Sequence, residues 1–108
     1  MAKTKGGKGE PSPSETFPPF ARSSLSGKHQ DMLDAVFQKP NRPDIPWRQI
    51  EALFEALGGS VENGKGSRRR VFLRGRRAVF HEPHPERVTD KGAVTSVRDF
   101  LVSAGVNP

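Results

Sequence analysis

The uneven distribution of apolar residues along the chain most constrains what it can fold into. Residues 1–27 contain 6 apolar side chains, whereas residues 28–108 contain the other 29 of the 35 in the sequence. The first segment also holds four prolines, and so polar and proline-rich a composition cannot bury enough surface to offset the entropy lost on folding. We therefore predict a disordered, basic and proline-rich tail over residues 1–27 and a single folded domain over residues 28–108.

The size of the second segment limits its core. Its 81 residues are enough for one modest core, and the absence of cysteine from the sequence excludes a disulfide or thiolate-metal staple. No run approaches the roughly 20 apolar residues of a membrane span. The N-terminal residues have no apolar stretch of the kind that a secretory signal requires. These features predict a cytoplasmic location.

Three segments have apolar residues at helical spacing. The stripes are Met32, Leu33, Val36 and Phe37, then Trp47, Ile50, Leu53, Phe54 and Leu57, and finally Val94, Val97, Leu101 and Ala104. Ser26 is suited to cap the first helix, and Asp90 or Thr89 the last, because their side-chain oxygens accept bonds from the first turn. The glycine pair at positions 58 and 59 ends the second helix. We predict helices over residues 28–38, from Trp47, and after Asp90.

The segment between the second and third helices has the composition of strands. Residues 60–63, 69–74 and 76–81 are β-rich, and Gly75 between the last two indicates a hairpin. The order of elements predicts an α+β fold in which a small three-stranded antiparallel sheet is covered on one face by helices. The proline-containing segments 39–46 and 81–90 are predicted to be an extended connector and a loop.

Alternation along the hairpin predicts what each face of the sheet presents. Val71 and Leu73 are expected to face the helices, and Arg70, Phe72 and Arg74 the opposite side. That second face is left to water or to a ligand.

Residues 65–77, hereafter the basic segment, carry most of the positive charge. They contain seven Lys and Arg and no acidic residue, a charge of +7 in a chain whose total is +6. A solvated charged surface is one interpretation, but arginine-rich strands favour polyanion binding, since the planar guanidinium matches a phosphate group. Strands that present arginines beside Phe72 and a glycine loop are better suited to RNA than to reading of the DNA major groove, which is usually done by a helix. The predicted RNA-binding residues are Lys65, Ser67, Arg68, Arg69, Arg70, Arg74, Arg76 and Arg77.

His81 and His84 are candidate catalytic residues. A metal site would need further ligands beside them at suitable spacing, and the prolines at 83 and 85 exclude a helical arrangement, so no metal or other cofactor is predicted. Imidazoles near a basic surface also suit general acid–base cleavage of RNA, in which a 2′-hydroxyl attacks the adjacent phosphate without a metal. For His84, stabilisation of a turn between prolines is the alternative.

Three runs of the sequence resemble one family. These are IPWRQIEALFEALGGSV, GKGSRRRVFLRGRRAVFHEPHP and TDKGAVTSVRDFLVSAGV, which together cover roughly residues 45–107 and are similar to the HicA toxins of bacterial HicA–HicB toxin–antitoxin pairs. The most specific parts are the helix ending in Leu-Gly, the Gly-Ser loop before the hairpin, Pro83 with His84, and the final Ala-Gly-Val. The resemblance implies a fold similar to a double-stranded-RNA-binding domain, preceded here by an extra helix.

The resemblance also implies a function, but the sequence departs from the family at one important position. HicA toxins cleave mRNA with a histidine that directly follows the Gly-Ser of the loop, but Gly66 and Ser67 are followed here by Arg68. Arginine stays protonated at neutral pH and cannot act as a base, although it can bind phosphate. The expected function is an mRNA-binding toxin and endoribonuclease, with His81 or His84 exchanging protons and a HicB-like antitoxin as partner. The alternative is a non-catalytic RNA-binding or antitoxin-binding module.

Overall fold

A computed structural model describes residues 17–83 and 88–108 of the chain. A 3-10 turn at Arg22–Ser24 precedes the helices α1 (Gly27–Phe37), α2 (Trp47–Ala56) and α3 (Lys91–Ser103). The strands are β1 (Ile45–Pro46), β2 (Ser60–Asn63), β3 (Arg68–Leu73), β4 (Arg76–His81) and β5 (Val88–Thr89). The predicted α+β fold is confirmed. No helix in the described ranges is long and apolar enough to cross a membrane.

The helix ends follow the residues that predict them. The side chain of Ser26 accepts a hydrogen bond from the amide of His29, and Asp90 accepts one from the amide of Ala93 at 2.8 Å. Both satisfy amides that have no partner inside the helix. Beyond α2 the chain leaves the helical path at Gly58, which has a φ of +92°. A left-handed conformation of this kind favours glycine.

The three-stranded sheet is antiparallel, in the order β2-β3-β4. Arg74 and Gly75 join β3 to β4 with φ angles of 50° and 80°, the pattern of a two-residue type I′ turn. This turn fixes the register, from Leu73 opposite Arg76 to Arg68 opposite His81. The hairpin predicted around Gly75 is confirmed.

One face of the sheet packs on the helices and forms the core. Val71 and Leu73 of β3 are buried there, as predicted, against the apolar stripes of all three helices. Four aromatic rings meet at centroid distances of 5.8 to 5.9 Å, those of Trp47, Phe54, Phe80 and Phe100. Such tilted and stacked contacts add to the burial of apolar area.

A second, two-stranded sheet was not predicted. Ile45 of β1 lies opposite Thr89 of β5, and Pro46 lies opposite Val88. The sequence predicts an extended connector and a loop for these segments, because two-residue strands beside prolines give no alternating pattern. The pairing of β1 with β5 holds the start of α2 next to the segment before α3.

The described end of the predicted tail lies against the domain. Leu25 is 6% exposed and Phe20 packs on the core. The guanidinium of Arg22 donates hydrogen bonds of 2.5 and 2.8 Å to both carboxylate oxygens of Asp34. Residues 17–27, which the sequence assigns to the tail, contain few apolar side chains, and two of these, Phe20 and Leu25, pack with the core of the domain. Residues 1–16 lie outside the described ranges.

Candidate functional site

The face of the three-stranded sheet opposite the helices is exposed. It carries alternate residues of β3 and β4, which lie in directly opposed pairs: Arg68 with His81, Arg70 with Val79, and Phe72 with Arg77. These six residues are called the open face. Phe72 is half-buried, whereas the side chain of Val79 is 55% exposed. A shallow depression of about 190 Å³ lies between Arg70, Phe72, Arg77 and Val79.

The open face is strongly basic. Its acidic neighbour on β2 is Glu62, whose Oε1 lies 3.5 Å from Nη2 of Arg70, and the two side chains are 54% and 55% exposed. An ion pair so exposed to solvent contributes little free energy. A phosphate group can therefore replace the Glu62 carboxylate beside Arg70 at small cost.

A hydroxyl and an imidazole lie close together at one end of the hairpin, and Arg68 is at the neighbouring strand position. His81 lies directly across from Arg68, and its Nδ1 is 3.5 Å from Oγ of Ser67. The Cβ atoms of such opposed residues are about 4.5 to 5.5 Å apart. The amide of Glu82 donates to the carbonyl of Ser67 at 2.8 Å and so continues the pairing past the strands. In general, a guanidinium can bind a phosphate group and an imidazole can exchange protons near neutral pH.

Arg69 lies on the helix side of the sheet. One of its Nη atoms donates to Glu82, and the other donates to the carbonyls of Gly66 at 3.1 Å and Arg68 at 2.8 Å. The side chains of Arg69 and Glu82 are only 16% and 20% exposed. Alternation along β3 thus separates Arg69 from the open-face arginines with which the sequence groups it. On the helix side of the sheet, the carboxylate of Glu82 balances the charge of Arg69.

Arg74 is also turned away from the open face, contrary to the prediction from strand alternation. Its Nε donates to the carbonyl of Ala104 at the end of α3, at 2.9 Å, and its Nη2 donates to the carbonyl of Pro18. The guanidinium also lies 5.6 Å from the ring centre of Phe17. Strand alternation stops at Arg74 because this residue belongs to the turn.

Of the other predicted residues, Lys65 is exposed in the loop before β3. Arg76 is exposed at the turn end of β4, but it lies opposite Leu73 and therefore alternates onto the helix side of the sheet, away from the open face. His84 lies outside the described residues. Val79 was missed by the sequence analysis, although it alternates with Arg77 and His81 and this spacing signals a shared face.

A further cavity lies away from the open face. It measures about 380 Å³ and is lined by the start of α2 together with Glu51, Glu82 and Val88. Its wall carries the two carboxylates of Glu51 and Glu82 against the single guanidinium of Arg48, a balance that disfavours a polyanion there.

A comparison with protein families gave one match. The model of the family described as HicA toxin of bacterial toxin-antitoxin matches residues 47–106, which is 60 of the 108 residues. Searches among curated proteins and among solved structures gave no significant match. The matched range contains α2, the three-stranded sheet with its open face, and α3, and it leaves α1 outside.

Proposed function

The chain belongs to the HicA toxin family of bacterial toxin–antitoxin systems, and we propose that it is an RNA-cleaving toxin of such a pair. The observation that carries this proposal is the position of His81 directly opposite Arg68. The resemblance implies a catalytic histidine at position 68. Here an imidazole stands on the neighbouring strand at the same level of the sheet, within cross-strand contact distance of that position.

The open face suits a single-stranded RNA. Arg68, Arg70 and Arg77 form a basic surface for phosphates, and the partly exposed ring of Phe72 beside Arg70 and Arg77 offers a surface for stacking of a base. A sheet that combines guanidinium groups with an aromatic ring binds unpaired bases, whose faces a duplex would hide.

The reaction that these groups support is attack of a ribose 2′-oxygen on the adjacent phosphorus. The new O–P bond displaces the 5′-oxygen of the next nucleotide and leaves a 2′,3′-cyclic phosphate and a 5′-hydroxyl. His81 takes the proton from the 2′-hydroxyl or gives one to the leaving oxygen. The guanidinium of Arg68 stabilises the charge that develops on the phosphate oxygens. No step in this scheme requires a metal ion.

Arg68 itself favours a second candidate function. A guanidinium in place of the family's histidine binds phosphate more firmly and cannot remove a proton. A domain with this change and without a working His81 would bind RNA and not cut it. We therefore treat a non-catalytic RNA-binding or antitoxin-binding module as the alternative.

Cleavage in the presence of EDTA separates the two candidates. We expect the purified protein to cut single-stranded RNA with EDTA present, and His81→Ala to slow cleavage by about 10² to 10⁴, the usual contribution of a general acid or base. His29→Ala, a change of the same residue type on α1, should cut at the wild-type rate. Absence of cutting by the wild-type protein would favour the non-catalytic module. Cutting unchanged by His81→Ala combined with His84→Ala would exclude both histidines as the catalytic groups.

The open face also suits a toxin's partner. A HicB-like antitoxin with an acidic surface would cover Arg68, Arg70 and Arg77 and exclude RNA by occupying the same positive charge. In this proposal the complex binds RNA much more weakly than the toxin alone.

A further inference from the structure

The outer edge of β4 presents backbone groups that pair with no other strand. In the described sheet, β4 is hydrogen-bonded to β3 alone. Because the amide of Glu82 donates to the carbonyl of Ser67, the next opposed pair, Arg68 and His81, is of the non-hydrogen-bonded kind, and such pairs recur at every second position. The N–H and C=O groups of Val79 and His81 therefore point away from β3.

Nothing in the described ranges covers this edge at its centre. The backbone groups of Val79 and His81 have no hydrogen-bond partner among residues 17–83 and 88–108, and the Val79 side chain is 55% exposed. Unpaired edge strands with an exposed apolar side chain invite pairing with another extended chain.

The two edges of the sheet differ in charge and length. β4 has six residues, including Arg76 and Arg77 and no carboxylate, whereas β2 has four and carries Glu62. An acidic strand is attracted to the β4 edge and repelled by Glu62 at the other. A second copy of β4 would bring the same positive charge and is disfavoured.

We propose that the β4 edge is the docking site of an acidic extended segment of a partner protein, which adds to the sheet as a fourth strand. Acidic side chains of that segment lie near Arg76 and Arg77, and an apolar side chain covers Val79. Backbone bonds provide affinity, and these alternate side chains provide specificity. The inference rests on the proposed function for one point, that the partner is the antitoxin.

Strand addition at this edge also explains how one partner controls the site. His81 lies at the end of β4, with its imidazole on the open face and its backbone at the β4 edge. A strand paired with Val79 and His81 stands beside the imidazole and blocks the approach of RNA from that side. Binding of the segment and binding of RNA are then mutually exclusive.

Amide hydrogen exchange of the full chain, followed by NMR, tests this directly. The probe is a synthetic peptide of about ten residues that carries Glu at the positions beside Arg76 and Arg77 and Val at the position beside Val79, with a Lys-for-Glu version as its control. We expect the acidic peptide to slow exchange at Val79 and His81 at least tenfold. The amides of Ala78 and Phe80 already donate to β3 and should change little, so they are internal controls.

Two proline variants complete the test. Val79→Pro removes an outward N–H and should abolish peptide binding, because proline is tolerated at an edge whose N–H faces solvent. Asn63→Pro makes the same change at the β2 edge and should leave binding intact, while circular dichroism confirms folding of both.

Several results would overturn the proposal. These are no peptide binding at millimolar concentration, binding without slower exchange at Val79 and His81, or slower exchange at Asn63 instead. If amide exchange at Val79 and His81 slows without peptide as the protein concentration rises, the β4 edge binds a second copy of this chain instead. The same slowing with RNA in place of the peptide would assign it to RNA. None of these readouts depends on cleavage, so a protein that fails to cut RNA can still pass this test.

Discussion

Arg70 occupies the centre of the open face, and its charge can be tested alone. Its side chain is 55% exposed and its partner Glu62 gives it little stabilisation. Arg70→Ala should weaken binding of any RNA sequence and reduce the slope of log affinity against log salt by about 0.7, the value of one phosphate contact on a single strand.

A matched change controls for net charge. Arg42→Ala removes an arginine from the connector before β1, where Arg42 pairs with Asp44, and should leave the salt slope unchanged. Equal losses in the two variants, measured by fluorescence anisotropy over a range of salt concentrations, would mean that overall charge rather than the open face binds RNA.

At the scale of secondary-structure elements, the Arg69–Glu82 ion pair fastens the hairpin end that carries the proposed catalytic groups. Because both side chains are at least four-fifths buried, Glu82→Gln should leave the Arg69 charge poorly compensated and destabilise the fold by about 1 to 3 kcal/mol. Glu62→Gln breaks an exposed pair with Arg70 and should cost less than about 0.5 kcal/mol. Urea unfolding measures the loss of unfolding free energy in each variant. Equal losses would contradict a stabilising role for the buried Arg69–Glu82 pair.

The contact between Arg22 and α1 gives a pH dependence. Hydrogen bonds from the Arg22 guanidinium, opposed by a smaller effect of desolvation, hold the pKa of Asp34 below its ordinary value. A lowered pKa in the folded state stabilises the protein above the unfolded pKa of about 4, and this stabilisation is lost as the pH falls through the folded value.

Asp34→Asn tests this contact. The variant should melt at a lower temperature than the wild type at pH 7, and the two melting temperatures should converge below pH 4. Asp99→Asn on the exposed side of α3 serves as the control. A difference for Asp34→Asn that persists unchanged at pH 2 would exclude the ion pair as its cause.

At the scale of the whole molecule, the N-terminal extension outside the family match is part of the same core. Leu33 and Val36 of α1 are fully buried, and the guanidinium of Arg98 on α3 donates to the carbonyls of Val36 at 3.1 Å and Gln38 at 3.3 Å. α1 packs on the side of the helices, and among residues 17–83 and 88–108 the sheet face opposite them stays exposed. This is consistent with the proposal that RNA or a partner binds at the sheet.

Sequence periodicity predicted those parts of the fold that repeat over several residues. The stripe from Trp47 to Leu57 specifies a helix, and the alternation around Val71 specifies a strand with one buried face. Periodicity could not predict the two-residue strand at Ile45, because a strand that short shows no repeating pattern. The contacts of residues 17–27 depend on single apolar residues such as Leu25, and the average composition of the segment does not reveal them.

The candidate site was predicted in composition but not in arrangement. The charge of the basic segment located the hairpin, yet a run of arginines does not reveal which guanidinium has a carboxylate or a carbonyl within reach. Arg69 meets Glu82, thirteen residues later, and Arg74 meets Ala104, thirty residues later. Such partners become visible only when the register and the end of α3 are known. The opposition of Arg68 and His81 likewise depends on the two-residue turn.

The central claim is that the open face of the sheet is the RNA site, and amide chemical shifts measure this most directly. A short single-stranded RNA with 2′-O-methyl groups binds without being cut, since it lacks the attacking hydroxyl. We predict that adding it shifts the amide signals of Arg68, Arg70, Phe72, Arg77, Val79 and His81 and leaves those of α1 in place. Shifts confined to the helices, with the open-face signals unmoved at saturation, would contradict the account.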